Sequence, residues 1–147
     1  MKKYRTYSVR LPVVLVAMLR LSKRVEYGLM ALQHLAKRGG VSTVREISEE
    51  YHISYDLLAK ILQDLKRDGL IDSYQGVRGG YALMLTPQSI SLTRVVGALE
   101  EDTGIMDCAT SAAGCSRSGT CSIEAPMHKL QATIDKALSS VTVAQLM

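Results

Sequence analysis

The sequence has no tryptophan and no phenylalanine, and its seven tyrosines are its whole aromatic complement. A core built from it must be aliphatic, and a hydrophobic fraction of 47% can supply one from Leu, Val, Ile and Met. Cysteine is scarce and odd in number, with three in 147 residues. A secreted disulfide framework prefers an even count, so a reducing, cytoplasmic setting fits better. No apolar run is long enough to span a bilayer. The basic start "MKKYRTYSVR" and the short apolar stretch "LPVVLVAML" faintly resemble an export signal. Pro12 interrupts that stretch, no small-x-small cleavage site follows, and Arg20, Lys23 and Arg24 come at once. Residues 1–17 therefore read as a disordered or misassigned leader ahead of a second start at Met18. Enzyme signatures are missing as well. There is no glycine-rich phosphate loop and no HExxH-type motif, and His34, His52 and His128 form no recognisable pair with a cysteine nucleophile.

What is present is asymmetric. Residues 1–80 hold 14 Lys/Arg against 8 Asp/Glu, and residues 81–147 hold 4 against 6. The basic half is the one to inspect for a polyanionic partner. There Val25, Leu29, Leu32 and Ala36 recur at helical spacing, Lys37 and Arg38 suit the helix's C-terminal dipole, and Gly39-Gly40 stops it. Thr43-x-x-Glu46 is a capping box that opens a short second helix with Val44, Ile47 and Tyr51. His52-Ile53 makes a tight turn. Ser54 can cap a third helix carrying Leu57, Leu58, Ile61, Leu62 and Leu65, closed by Gly69. The period then changes: "LIDSY" and "YALML" flank "QGVRGG", which predicts two strands around a glycine-rich turn. Leu92, Val95, Val96 and Leu99 form a further helical stripe. Met127, Leu130, Ile134, Ala137, Leu138 and Val141 form the last, with Pro126 near its first turn.

Helix, short helix, turn, helix, hairpin is the order of a winged helix-turn-helix, whose second paired helix reads the DNA major groove. The expected fold is mainly α with a small β-hairpin wing, extended by a long C-terminal helix. Thr43, Ser54, Tyr55, Asp56 and Lys60 are the candidate DNA contacts of the helices, because they lie at the amino ends or away from the leucines. Gln75 and Arg78 are those of the wing, where glycines allow close backbone approach. The divisions expected are 18–88 for the DNA-binding domain, 89–125 for a linking helix and cysteine loop, and 126–147 for a dimerisation helix and tail.

All three cysteines fall within "CATSAAGCSRSGTC", with six residues between Cys108 and Cys115 and five between Cys115 and Cys121. Zinc sites more often open with a C-x2–4-C knuckle and thioredoxin-like sites use C-x-x-C, and neither is here. Wide spacing through small residues suits wrapping an iron–sulfur cluster, for which thiolates are the preferred ligands. A redox disulfide and plain free thiols remain open on spacing alone.

These segments together resemble the Rrf-two family of bacterial transcription regulators. "LSKRVEYGLMALQHLA" resembles its opening helix, "ISEEYHISYDLLAKILQDLKRDGLI" its helix-turn-helix, and "SYQGVRGGYAL" its wing. "LTRVVGALEED" resembles the helix that leads to the cluster loop. The likeness runs from about Leu19 to Leu146. It implies a cytoplasmic homodimer on a two-fold symmetric double-stranded DNA operator, with no membrane partner and no small-molecule substrate. It also implies that the Met127-Leu130-Ile134-Leu138 stripe is dimer core. The cluster-binding branch of the family holds its cluster, 2Fe-2S or 4Fe-4S, through three loop cysteines that match Cys108, Cys115 and Cys121. The presence of all three places the sequence with that branch.

The sequence departs from the family at the fourth ligand. IscR-like members place a histidine three residues after the last cysteine, where Glu124 stands. NsrR-like members use an acidic residue from the partner's first helix, matched by Glu26. The resemblance ranks Glu26 first, then Glu124, then His128. His34 and His52 read as structural or exposed. The wing departs too: the family's arginine is Gln75, with Arg78 as a substitute two residues past Gly76, and Ala59 stands where some IscR-like proteins carry a glutamate. The operator is therefore expected to differ from the IscR type.

Overall fold

A computed structural model describes residues 20–106 and 115–147. The expected leader and Cys108 lie outside the described residues. Helix α1 spans Lys23–Arg38. The Ser22 hydroxyl accepts the Val25 N–H at its start, and Gly39 closes it in the left-handed conformation at φ 66°. Its buried face is Val25, Gly28, Ala31, Leu32 and Leu35, one step round from the expected stripe, with Leu29 and Ala36 only half-buried.

Helix α2 is Val44–Tyr51, opened by the expected capping box. The Thr43 N–H donates to the Glu46 carboxylate at 2.7 Å, and the Glu46 N–H donates to the Thr43 hydroxyl at 3.2 Å. The Thr43 N–H bond, then a second bond donated by the Thr43 hydroxyl at 3.1 Å, holds the Glu46 carboxyl below its ordinary range. His52 ends the helix with φ 53°, and α3 follows directly as Tyr55–Arg67. One expectation fails here: Ser54 stands at the N-cap position of α3, but its side chain makes no capping bond. The abrupt turn through His52 sets its backbone at φ −53° and ψ 129°, and its side chain is exposed.

Leu58, Ile61, Leu62 and Leu65 of α3 are completely buried against α1 and the later helix α4, Leu92–Leu99. With Ile47, Leu70, Ile71, Ile90 and Val95 they form an aliphatic core, and the aromatic side chains only flank it. Gly28 lets the Leu99 side chain of α4 press against α1, since a Cβ there would meet Leu99 at 2.4 Å.

The wing is the antiparallel pair β1, Ile71–Tyr74, and β2, Gly80–Leu83, in the register Ile71↔Leu83 to Tyr74↔Gly80. The turn closes through the Gly79 N–H on the Gly76 carbonyl at 2.9 Å. Ser42 and Tyr81 exchange backbone hydrogen bonds at 2.9 and 2.8 Å, which dock the wing onto the entry of α2. Buried His34 supports that joint: its Nε2 lies 3.1 Å from the Ser42 hydroxyl, and its ring meets Tyr51 edge-on at 5.7 Å. Gly80 sits at φ 149°, and a Cβ there would fall 2.5 Å from the Ser42 carbonyl oxygen. Gly80→Ala is expected to cost more than about 1 kcal/mol of stability and to loosen the wing. Chemical denaturation, with amide exchange at Tyr81, checks both.

Helix α5 spans Glu124–Ser140, beginning earlier than expected, and packs chiefly on α4. Beyond it the tail turns back. The Leu92 N–H bonds the Val141 carbonyl, the Val143 N–H bonds the Ile90 carbonyl, and Val143 is fully buried in the core.

Candidate nucleic-acid interface and cysteine segment

The amino ends of α2 and α3 and the wing turn lie on one side and border a shallow, open cleft of about 470 Å³. Of the sequence-predicted contacts, Thr43, Tyr55 and Gln75 line it. Ser54, Asp56, Lys60 and Arg78 are all exposed on the same elements. Arg45, Tyr74 and Tyr81 also line the cleft, and the sequence reading missed them. The available signal for Arg45 was its place just inside the α2 cap. For Tyr74 it was an aromatic residue at a strand end facing a glycine turn. Val77, at the tip of the wing, is fully exposed.

The charges sort only in part, since Glu46 at the start of α2 pairs with Arg38 at 3.2 Å and Asp56 is exposed at the start of α3. On the far part of α3, Asp64 pairs with Arg24 and Arg67 at 2.5 and 2.7 Å, Arg94 pairs with Asp68 at 3.1 Å, and Lys66 pairs with Asp72 at 3.4 Å. Arg45, Lys60 and Arg78 have no ion pair among the described residues. The cations around the cleft are thus left for an outside anion, which is the electrostatic footprint of a nucleic-acid face.

The segment between α4 and α5 carries the thiols. Cys115 is exposed and Cys121 half-buried, and among the described residues neither is in a disulfide. The Ser118 N–H bonds the Cys115 carbonyl and the Glu124 N–H bonds the Cys121 carbonyl, so both cysteines sit in short turns leading into α5. The Glu124 carboxylate is occupied there: it accepts the Ser118 hydroxyl at 2.8 Å and the Gly119 N–H at 3.2 Å. The Ser118 bond, then the Gly119 bond, holds its carboxyl below the usual range. Glu26 is exposed on the first turn of α1 and pairs with Lys23 at 2.7 Å, which raises the Lys23 ammonium. His128 is exposed on α5. Among the described residues no three metal-binding side chains converge, and Cys108 lies outside them.

A polar junction joins this segment to α3. Arg24 donates through Nε to the Leu99 carbonyl at the end of α4, and through Nη2 to Asp64 on α3. Beside it the Ser22 hydroxyl bonds the Glu100 carboxylate. The start of α1 therefore grips both the recognition helix and the point where α4 leaves for the cysteines. Among the described residues no helix is long and apolar enough to cross a membrane.

Comparison with known proteins agrees with this architecture. Residues 21–147 match the Rrf2 family, described as iron-dependent transcriptional regulators. The chain is 28% identical over 131 residues to the HTH-type transcriptional regulator NsrR of Shouchella clausii, covering 87% of this chain and 88% of that one. It is 32% identical over 92 residues to the HTH-type transcriptional regulator NsrR of Bacillus subtilis, covering 61% and 63%. Among solved structures it is similar to T. potens IscR at a TM-score of 0.64 and 25% identity, covering 87% and 85% of the two chains.

Proposed function

The chain belongs to the Rrf2 family of transcriptional regulators, and from that premise we propose that it is a homodimeric sensor that binds a DNA operator and reports iron, redox state or nitric oxide through an iron–sulfur cluster. The observation that carries this reading is the segment between α4 and α5, where thiols stand free next to a junction leading to the recognition helix. The donor chemistry fits the group: thiols uncommitted to a disulfide, Cys115 open to solvent, in a stretch of small residues. Cys108, Cys115 and Cys121 would hold the cluster, which supplies a centre that oxidants and nitric oxide attack. Glu124 is already bonded to Ser118 and Gly119. That supports Glu26, whose one ion pair among the described residues is with exposed Lys23, as the fourth ligand donated to the partner's loop.

This chain's part in sensing is mechanical. The cysteine segment, holding a cluster, would act on Leu99 and Glu100, from which it departs. Ser22 and Arg24 carry that effect to α1, and Arg24 carries it to Asp64 on α3. DNA affinity then changes by the difference in stability of the two loop states. Arg24→Gln is expected to preserve folding and bare DNA binding while narrowing the affinity ratio between cluster-loaded and cluster-free protein. Fluorescence anisotropy on both forms checks it, and an unchanged ratio removes Arg24 from the route.

The deciding experiment is an absorption spectrum of protein purified without oxygen, with iron and sulfide assayed on the same sample. A visible charge-transfer band with matching iron and sulfide supports the reading. Colourless protein that also refuses reconstitution overturns it in favour of the second reading, a regulator sensing by thiol–disulfide chemistry. The two free cysteines of one short segment give that reading its footing.

A further inference from the structure

Two tyrosines have no structural task. Tyr27, Tyr51 and Tyr81 pack against the core, whereas Tyr55 and Tyr74 do not. They are 53% and 51% exposed, and neither phenol makes a hydrogen bond among the described residues. They come from different elements, the first residue of α3 and the last of β1, yet both line the one cleft. Arg45, exposed and without an ion pair among the described residues, lines it as well. Gly76, Gly79 and Gly80 line the wing side beside Tyr74, Gln75 and Tyr81, and their lack of side chains leaves room for a bound group.

Two neutral O–H donors and one guanidinium match the oxygens of a phosphodiester. The location fits the same ligand. When α3 enters a major groove and the wing reaches the neighbouring minor groove, the strand separating the grooves must pass between them. We propose that Tyr55 and Tyr74, together with Arg45, clamp one backbone phosphate of the operator strand that runs between α3 and the wing. The clamp rests on the DNA-binding reading and deepens it. It also gives the wing a grip that does not depend on an arginine at Gln75. Because every nucleotide carries the phosphate, the clamp adds affinity and sets register without reading a base.

The test uses the full-length protein, a site selected from a random duplex pool, and an unrelated duplex. Tyr55→Phe and Tyr74→Phe are each expected to weaken binding about five-fold, by similar factors on both duplexes and with unchanged salt dependence. Arg45→Gln is expected to lower the salt slope by about one. A methylphosphonate scan should show, in each half-site, a phosphate whose neutralisation weakens the wild type strongly but hardly affects the triple variant that adds Arg45→Gln to the two Phe substitutions. Circular dichroism and melting of each variant separate lost contacts from lost folding. Wild-type affinity in the folded double Phe variant overturns the clamp. So does a loss confined to the selected site, which would make the tyrosines base readers, or an unchanged methylphosphonate pattern. A wild-type protein with no salt-dependent affinity for either duplex overturns the DNA reading itself, so the two failures are told apart.

Discussion

Cys115→Ser protein purified without oxygen is expected to be colourless, with iron and sulfide near background, where the wild type is brown or red. A serine oxygen is a hard, weakly acidic donor, whereas iron–sulfur clusters select thiolates. The effect should be close to complete, because Cys108 and Cys121 would remain as only two thiolate ligands. Folding should survive. Cys115 is exposed and outside the aliphatic core, so its replacement is expected to change stability by less than about 0.5 kcal/mol. Sedimentation and thermal melting on the same sample check that half of the prediction. An unfolded or aggregated Cys115→Ser chain would mean that the cysteine is structural. Full iron retention would show that the ligands lie elsewhere.

The second large effect concerns α5. Leu130 is 44% exposed on this helix and Ile123, just before it, 48%, while Met127, Ile134 and Leu138 are only half-buried. A single chain thus leaves much of the stripe open, although α5 is one of its longest helices. In the homodimer proposed above, the partner's α5 covers that stripe. Charging it with Leu130→Asp and Ile134→Asp together is expected to give monomers, since each buried carboxylate would be unpaired. The winged helix should remain folded, because its core draws only Val143 from the chain beyond α5. Operator affinity should fall at least about 100-fold, the gain from holding two half-site readers at a fixed spacing. Analytical ultracentrifugation and binding to a full site against a half-site measure both parts. A charged variant that stays dimeric would move the interface away from α5.

Much of this was open to a sequence reading because it depends on local rules. The α2 capping box, the glycine end of α1, the α3 leucines and the two strands of the hairpin all follow from spacing and from which residues tolerate which backbone. Ser54 shows the limit of such rules. A serine before a helix has the right chemistry for a cap, but after the left-handed turn at His52 its side chain is exposed and makes no capping bond. The buried face of α1 was read one step out for a related reason. A glycine, Gly28, carries no hydrophobic signal, and its value lies in letting Leu99 come close.

The sequence by itself determined the aliphatic core, the helix-turn-helix with its wing, and the set of three cysteines, since composition and short-range periodicity encode them. The tertiary structure decided which residues meet. It put Tyr55, Tyr74 and Arg45 around one cleft, set buried His34 under the wing joint, and tied Arg24 to both Asp64 and Leu99. It also returned Val143 to a core formed more than forty residues earlier. Each of these joins residues far apart in the chain. Such pairs follow from how whole helices pack, and no local pattern carries that information.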